Sequence, residues 1–319
     1  MTRWDWTWEE RIRPAEPLAE VKPSPPLPAP PSRDVGRFRR RRAGVLLGVV
    51  ALVAVVLSLL GGQATKRTSA HLSRIVPLHK ASASESQARL ARAENEAVDR
   101  VLSYTPIVTR GGASGNEVAL TFDDGPGPYT QHLVSVLNSL RVKATFFVVG
   151  KQERYFSAGT AMEINAGDAI GDHTETHPMM ASLSKHDQRE QLFEQAARIE
   201  VLGGSRPRLF RPPYGSFNAT TLHELHVMHM LMVLWSTDTE DYTRPGVHAI
   251  VENALAGARP GAIILMHDAG GDRSQTIAAL PTIIRGLRKR GLRPVTIPRL
   301  MLDDPPPRGL PIPKSLAGD

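Results

Sequence analysis

Cysteine is absent from the 319-residue chain. That excludes a disulfide framework, a thiolate nucleophile and any Cys-ligated zinc or iron–sulfur centre. Aromatic residues are scarce at 5%, so stacking platforms for single-stranded nucleic acid are not advertised. Positive charge is also thin over most of the chain. The formal net charge is +7, but residues 1–42 hold nine Arg and one Lys against six acidic side chains and carry +4 of it. The +3 left for the other 277 residues does not make a nucleic-acid surface, and no nucleic-acid partner is expected. Internal repeats are absent.

The N-terminal part reads as a sequence of appendages. Eight prolines fall in residues 1–36, a composition that favours extended backbone and builds no core. Residues 1–42 are therefore expected to be a disordered Pro/Arg-rich arm, with Trp4, Trp6 and Trp8 near its start. Arg37 and Arg39 to Arg42 then abut an apolar run, Ala43 to Gly62, in which Ser58 is the one polar residue. Twenty residues of helix span about 30 Å, the thickness of a bilayer core. The basic cluster predicts a single-pass anchor with its N-terminus cytoplasmic and the rest of the chain extracellular or periplasmic. Gly62-Gln63-Ala64 loosely resembles a cleavage site. The apolar stretch is long for a signal peptide and follows a long arm, which favours an uncleaved anchor. Residues 63–116 read as stalk and linker. Ser84 with Gln87 predicts a helix to about Leu102, whose Leu90, Ala97 and Val101 offer a side for self-association. TRGGASGN (109–116) is flexible by composition, and 301–319 is a Pro-rich tail.

Between Glu117 and Leu300 short apolar runs alternate with helical stretches. Strands are expected at 118–122, 144–149, 168–171, 208–211, 230–235, 262–266 and 293–297. Helices are expected at 129–140, 158–166, 184–203, 218–226, 246–257 and 274–290. Strands separated by helices imply parallel pairing in an α/β fold. Periodicity leaves an open doubly wound sheet and a closed barrel equally available.

Polar residues gather just after the apolar runs, where parallel α/β folds build their sites. TFDDGP (121–126) places Asp123 and Asp124 at a strand end. Neighbours leaving a strand point in different directions, so one carboxylate can bind a cation while the other takes a proton. DHTETHP (172–178) sets His173 and His177 four apart, metal-ligand spacing if the segment is a helical turn. Glu175 is not adjacent to the first histidine, so this is not the HExxH pattern. FRPPYG (210–215) ends a strand on Arg211, and its two prolines fix a rigid turn. WSTDTEDY (235–242) contributes Asp238 and Asp241, and ILMH (264–267) puts His267 at another strand end. His223, His226 and His229 look like a metal cluster, but they straddle a helix-to-strand junction with no carboxylate paired with them at strand ends, and they read as structural or surface. A metal, a base, an acid and an arginine together suit amide or ester hydrolysis.

In this order, TFDDGP, HTETHP, RPPYG, DTEDY and LMH resemble the polysaccharide deacetylases of the NodB-homology type, carbohydrate esterase family 4. The resemblance covers Glu117–Leu300 and implies a distorted (β/α) barrel of about seven strands. It implies that Asp124, His173 and His177 hold a divalent metal, most often Zn2+. It further implies Asp123 as general base, Arg211 as its ion-pair partner, His267 as general acid and Asp241 as the group orienting it. Tyr214 would offer its backbone N–H to an oxyanion, while Leu265, Tyr242 and Pro213 would line an acetyl pocket. The family usually has Trp where this chain has Tyr242. The expected substrate is an acetylated glycan, peptidoglycan first because an anchored enzyme outside the membrane meets wall polymer. Chitin oligomers, an exported polysaccharide and O-acetyl esters remain open. So do a non-catalytic glycan-binding wall module and a small-molecule amidase.

Overall fold

The structure is a computed structural model and describes residues 85–314. The arm at 1–42, the span at 43–62, the first part of the linker and the last five residues lie outside them. Among the described residues no helix is long and apolar enough to cross a membrane.

All seven expected strands form. They are β2 (Glu117–Asp123), β3 (Thr145–Val148), β4 (Ala169–Asp172), β5 (Leu209–Phe210), β6 (Leu231–Val233), β8 (Ile263–His267) and β9 (Arg293–Val295). Two more, β1 (Ile107–Val108) and β7 (Thr237–Asp238), were not expected. The six expected helices are α2 (Thr130–Ser139), α3 (Gly150–Ala166), α4 (Lys185–Val201), α5 (Ala219–Met228), α6 (Val247–Ala256) and α7 (Ser274–Lys289). A further helix, α1, spans 85–102 and α8 spans Ile297–Asp303.

Every strand pair is parallel, in the order β1-β6-β5-β4-β3-β2-β8-β7, with β9 beside the start of β2. The path does not close. The architecture is a curled half-barrel rather than a complete barrel, and its strand ends open toward one side. β2 is buried along its whole length, as a central parallel strand covered on both faces must be. Its alternation divides two cores. Val118, Leu120 and Phe122 pack with Phe146, Ile264 and the apolar sides of α2 and α7. Ala119 joins Phe147, Leu231 and Ile263 on the inner face. Continuing up that face, β2 presents Thr121 and then Asp123, and β8 presents Leu265 and then His267. One strand period thus carries each chain from apolar floor to polar rim.

The expected boundary at Glu117 moves. Ala97, Val98 and Val101 of α1 are buried in the inner core with Val295, Ile297, Leu300 and Met301. The helix read as a stalk is therefore part of the domain at its C-terminal end. The side expected to self-associate is occupied by the domain's own core, while Leu90 stays exposed. Nor is 109–116 a free linker. Asp304 accepts hydrogen bonds from the backbone N–H of Ser114 and Gly115 at 2.9 and 2.7 Å, and Gly112 N–H reaches the Asp304 carbonyl at 2.7 Å. A Cβ on Gly112 would overlap that carboxylate. Glycines read as flexible joints here permit a close approach. The tail likewise begins later than 301, since Met301 is buried and Tyr104 donates to the Pro306 carbonyl at 2.7 Å.

Candidate active site

Strand register sets the geometry. Asp123, last residue of β2, lies opposite His267, last residue of β8, and beside Phe147 of β3. The five motifs, scattered over 147 positions of sequence from Thr121 to His267, arrive at one rim because each follows a parallel strand.

Arg211 leaves β5 and is completely buried. Its Nε donates to the Val233 carbonyl at 2.9 Å and one Nη to the Leu234 carbonyl at 3.2 Å. The other Nη donates to Thr121 Oγ1 at 2.9 Å and to Asp123 Oδ1 at 2.7 Å. The guanidinium stacks 4.2 Å from the Phe147 ring centroid. Burial pulls its pKa down, and Asp123 opposes that shift. Two charges this deep are tolerable only because they face each other with their remaining groups bonded. Asp123 keeps Oδ2 for the site, 3.7 Å from His173 Nε2.

Asp124 turns the other way, at φ +73°. Its Oδ1 lies 3.0 Å from His177 Nε2 and 3.6 Å from His173 Nε2. Burial would raise this carboxyl, but the His177 charge and hydrogen bonds from both histidines hold it well below the usual range. His173 Nδ1 donates to the Arg211 carbonyl at 2.7 Å, which fixes the ring with Nε2 facing the carboxylates. Ligand atoms of Asp124, His173 and His177 all lie within 4.8 Å of one another. One carboxylate and two imidazoles form a donor set suited to a borderline divalent ion with open positions. The residues fit such an ion.

The imidazoles do not converge by helical spacing. The segment after β4 is a loop in which Thr174 (φ +71°) and His177 (φ +63°) both take left-handed backbone. With Asp124 and Tyr214 (φ +59°), four non-glycine residues of one site sit in that region, each at a cost of about 1–3 kcal/mol. Tyr214 belongs to the turn Pro213–Gly215, and its ring meets His177 edge-on at 4.8 Å.

Opposite them, His267 Nδ1 donates to Asp241 Oδ1 at 2.7 Å, and its backbone N–H donates to Asp241 Oδ2 at 2.9 Å. Thr276 adds its hydroxyl to Asp241 Oδ2 at 2.7 Å. Burial would raise Asp241, yet His267 and Thr276 hold it below the ordinary carboxylate range. Burial alone would lower His267, but Asp241 and then the site carboxylates raise it to about 9. Its ring therefore carries a proton at neutral pH. Tyr242 stands edge-on to it at 5.3 Å, and Leu265 and Pro213 are buried in β8 and the Pro213–Gly215 turn. Asp238 accepts the Glu240 N–H as an ordinary turn residue. Among the described residues His223, His226 and His229 are not part of a group of three or more ligand atoms placed to hold an ion.

Sequence reasoning missed Asp268 and Thr130. Asp268 is buried beside His267, accepts the Thr130 hydroxyl, and receives no hydrogen bond at Oδ1. Its backbone N–H donates to the Asp123 carbonyl at 3.2 Å, and Thr130 Oγ1 accepts the Gly127 N–H at 2.7 Å. A Cβ on Gly125 would strike the Asp268 carboxyl, so the loops after β2 and β8 interlock. Burial raises Asp268 to about 7. Its position after His267 was the signal available, while its partner lies 138 residues away.

Residues 110–233 match the family model described as polysaccharide deacetylase. Over 186 residues the chain is 36% identical to a peptidoglycan-N-acetylglucosamine deacetylase of Bacillus cereus, covering 58% of this chain and 68% of that protein. Over 202 residues it is 37% identical to a chitooligosaccharide deacetylase of Sinorhizobium fredii, covering 60% and 94%. The crystal structure of the Bc1960 peptidoglycan N-acetylglucosamine deacetylase superposes with a TM-score of 0.60 at 34% identity, covering 63% of this chain and 94% of that one.

Proposed function

The chain belongs to the polysaccharide deacetylase family, and from that premise we propose that it removes N-acetyl groups from peptidoglycan amino sugars and releases acetate. The observation that carries the reading is a pairing across one rim. An Arg-clamped carboxylate, Asp123, faces a protonated imidazole, His267, with Asp124, His173 and His177 grouped beside them. Amide hydrolysis needs one group to take a proton from water and another to give one to the departing nitrogen.

Asp124, His173 and His177 would hold a divalent ion, Zn2+ by the nature of the donors. Such an ion supplies Lewis-acid polarisation of the acetamide carbonyl and of water when bound. Asp123 accepts the water proton at Oδ2, because Arg211 occupies Oδ1. The Tyr214 backbone N–H faces the oxygen on which negative charge grows as water adds to the carbonyl carbon. His267 delivers its Nε2 proton to the amide nitrogen, the carbon–nitrogen bond breaks, and acetate and the free amine leave. Asp241 keeps Nδ1 as a donor, so that Nε2 is the nitrogen aimed at substrate. Leu265, Tyr242 and Pro213 form the wall against which the acetyl methyl packs.

Peptidoglycan is favoured over chitin oligomers by the expected topology, an Arg-flanked apolar run at 43–62 that would keep residues beyond it outside the membrane. Chitooligosaccharides are the second reading, supported by the 94% coverage of a relative that acts on them. Acetate release from purified N-acetylated peptidoglycan and from chitin oligomers by the full-length chain tests both. The assay is run with added Zn2+, after chelation, and with Asp123→Asn. Release from peptidoglycan that chelation and the substitution abolish is the expected result. Release from chitin oligomers alone would move the assignment, and silence on both from folded, metal-loaded protein would overturn it in favour of a glycan-binding module.

A further inference from the structure

Glu175 sits midway between His173 and His177, is 2% exposed, and has no part in the chemistry above. Its carboxylate is gripped from two helices. Arg154 of α3 donates to Oε1 at 2.6 Å, and Arg198 of α4 donates to Oε1 at 3.1 Å and to Oε2 at 3.4 Å. The Arg198 contact is a two-pronged fork, the geometry in which guanidinium holds carboxylate most firmly. The backbone around it is pinned as well. Gly150 N–H reaches the Thr174 carbonyl at 3.1 Å and Lys151 N–H the Glu175 carbonyl at 2.7 Å, so the loop takes up donors left free at the start of α3. Gln191 of α4 receives the Glu175 N–H on its carbonyl at 3.1 Å and the Thr176 N–H on Oε1 at 2.8 Å. A side chain on Gly150 would overlap the Glu175 carboxylate.

We infer that Glu175, clamped by Arg154 and Arg198, is the positioning residue that sets the reach of His177 toward the metal. The inference rests on the reading of Asp124, His173 and His177 as metal ligands. The loop needs an outside anchor because Thr174 and His177 both hold left-handed backbone, which neither prefers. His173 has its own fixings at both ends, its N–H on the Val148 carbonyl and its Nδ1 on the Arg211 carbonyl. The His177 backbone is tied within the loop itself, its N–H to Thr174 Oγ1 at 2.9 Å, and its ring meets His173 and Tyr214 edge-on with Nε2 3.0 Å from Asp124 Oδ1. Loss of the clamp therefore falls on His177. Groups that orient ligands in this way change metal affinity by about 10–100-fold when removed.

The test measures Zn2+ dissociation constants of the full-length chain by competition with a chromophoric chelator, with apo-protein melting recorded in parallel. Glu175→Gln keeps size and one acceptor but loses the charge, and the double variant Arg154→Ala/Arg198→Ala removes the clamp while leaving the loop sequence intact. The expected result is a Zn2+ dissociation constant weakened by about 10–100-fold in both variants, beyond any change in apo melting. If Glu175→Gln fails to fold, the double Arg variant decides alone. Affinity within about twofold of wild type in a folded variant overturns the inference and leaves the metal reading standing. Absence of any Zn2+ site in the wild-type chain overturns both.

Discussion

Replacing Asp241 with Asn should strip His267 of its proton at working pH. Asp241 is the main group that raises His267 to about 9, working against burial. Asn carries no charge, so burial then acts with little opposition and the imidazole falls to its ordinary 6.5 or lower. The difference is about 2.5 units, or roughly 3 kcal/mol. At pH 8 the protonated fraction drops from about 0.9 to about 0.03, a loss of about 30-fold in any step that needs the acid. A second loss comes from geometry. Asp241 accepts from His267 Nδ1, the His267 N–H and the Thr276 hydroxyl, and an amide NH2 must face at least one donor that it cannot accept. The assay is a 13C or proton NMR titration of His267 in the metal-free protein, alongside a pH profile of acetate release. The basic limb should move down by two units or more. The stability sign follows from a raised folded pKa: the ion pair contributes fully below about 6.5, and its contribution is lost as pH rises through about 9. An unchanged His267 titration in folded Asp241→Asn would refute the reasoning, because it would mean that burial and Asp241 are not the opposing forces.

Asp123→Asn should lower kcat by about 10²–10⁴-fold while leaving the Zn2+ dissociation constant within a few-fold, since Asp123 is not in the metal-binding group. Arg211→Met should destabilise the fold by about 3–5 kcal/mol in chemical denaturation, because it leaves Asp123 buried without its partner. A loss below 1 kcal/mol would show the pair to be solvated. Asp268 is raised to about 7 by burial, so the folded chain binds a proton that the unfolded chain releases near pH 4. Stability from this group is therefore highest in acid and falls between about pH 4 and 7. Asp268→Asn, whose amide oxygen still accepts from Thr130, should flatten that part of the pH–stability curve.

What could be read locally was read from the chain alone. A buried parallel strand is a run of apolar residues, and a site at its end is a polar residue directly after the run, so seven of the strands and all five motifs were visible. So was the divergence of the Asp123 and Asp124 side chains, although its cause is the left-handed turn at Asp124 just beyond β2 rather than strand alternation. Tertiary structure decided everything that depends on partners far apart in sequence. β1 and β7 are strands because a neighbouring strand pairs with them, β1 with β6 and β7 with β8. The end of α1 is core because α8 and β9 cover it, and the glycines at 111–115 are pinned because Asp304 arrives beside them. The His173–His177 pair looked like helix spacing and is a strained loop, held by Arg154 and Arg198 on helices whose sequences mention no site. The protonation of His267 belongs to the same class. An imidazole's pKa is set by the balance of lost water against a nearby charge, and both quantities exist only once the chain has folded.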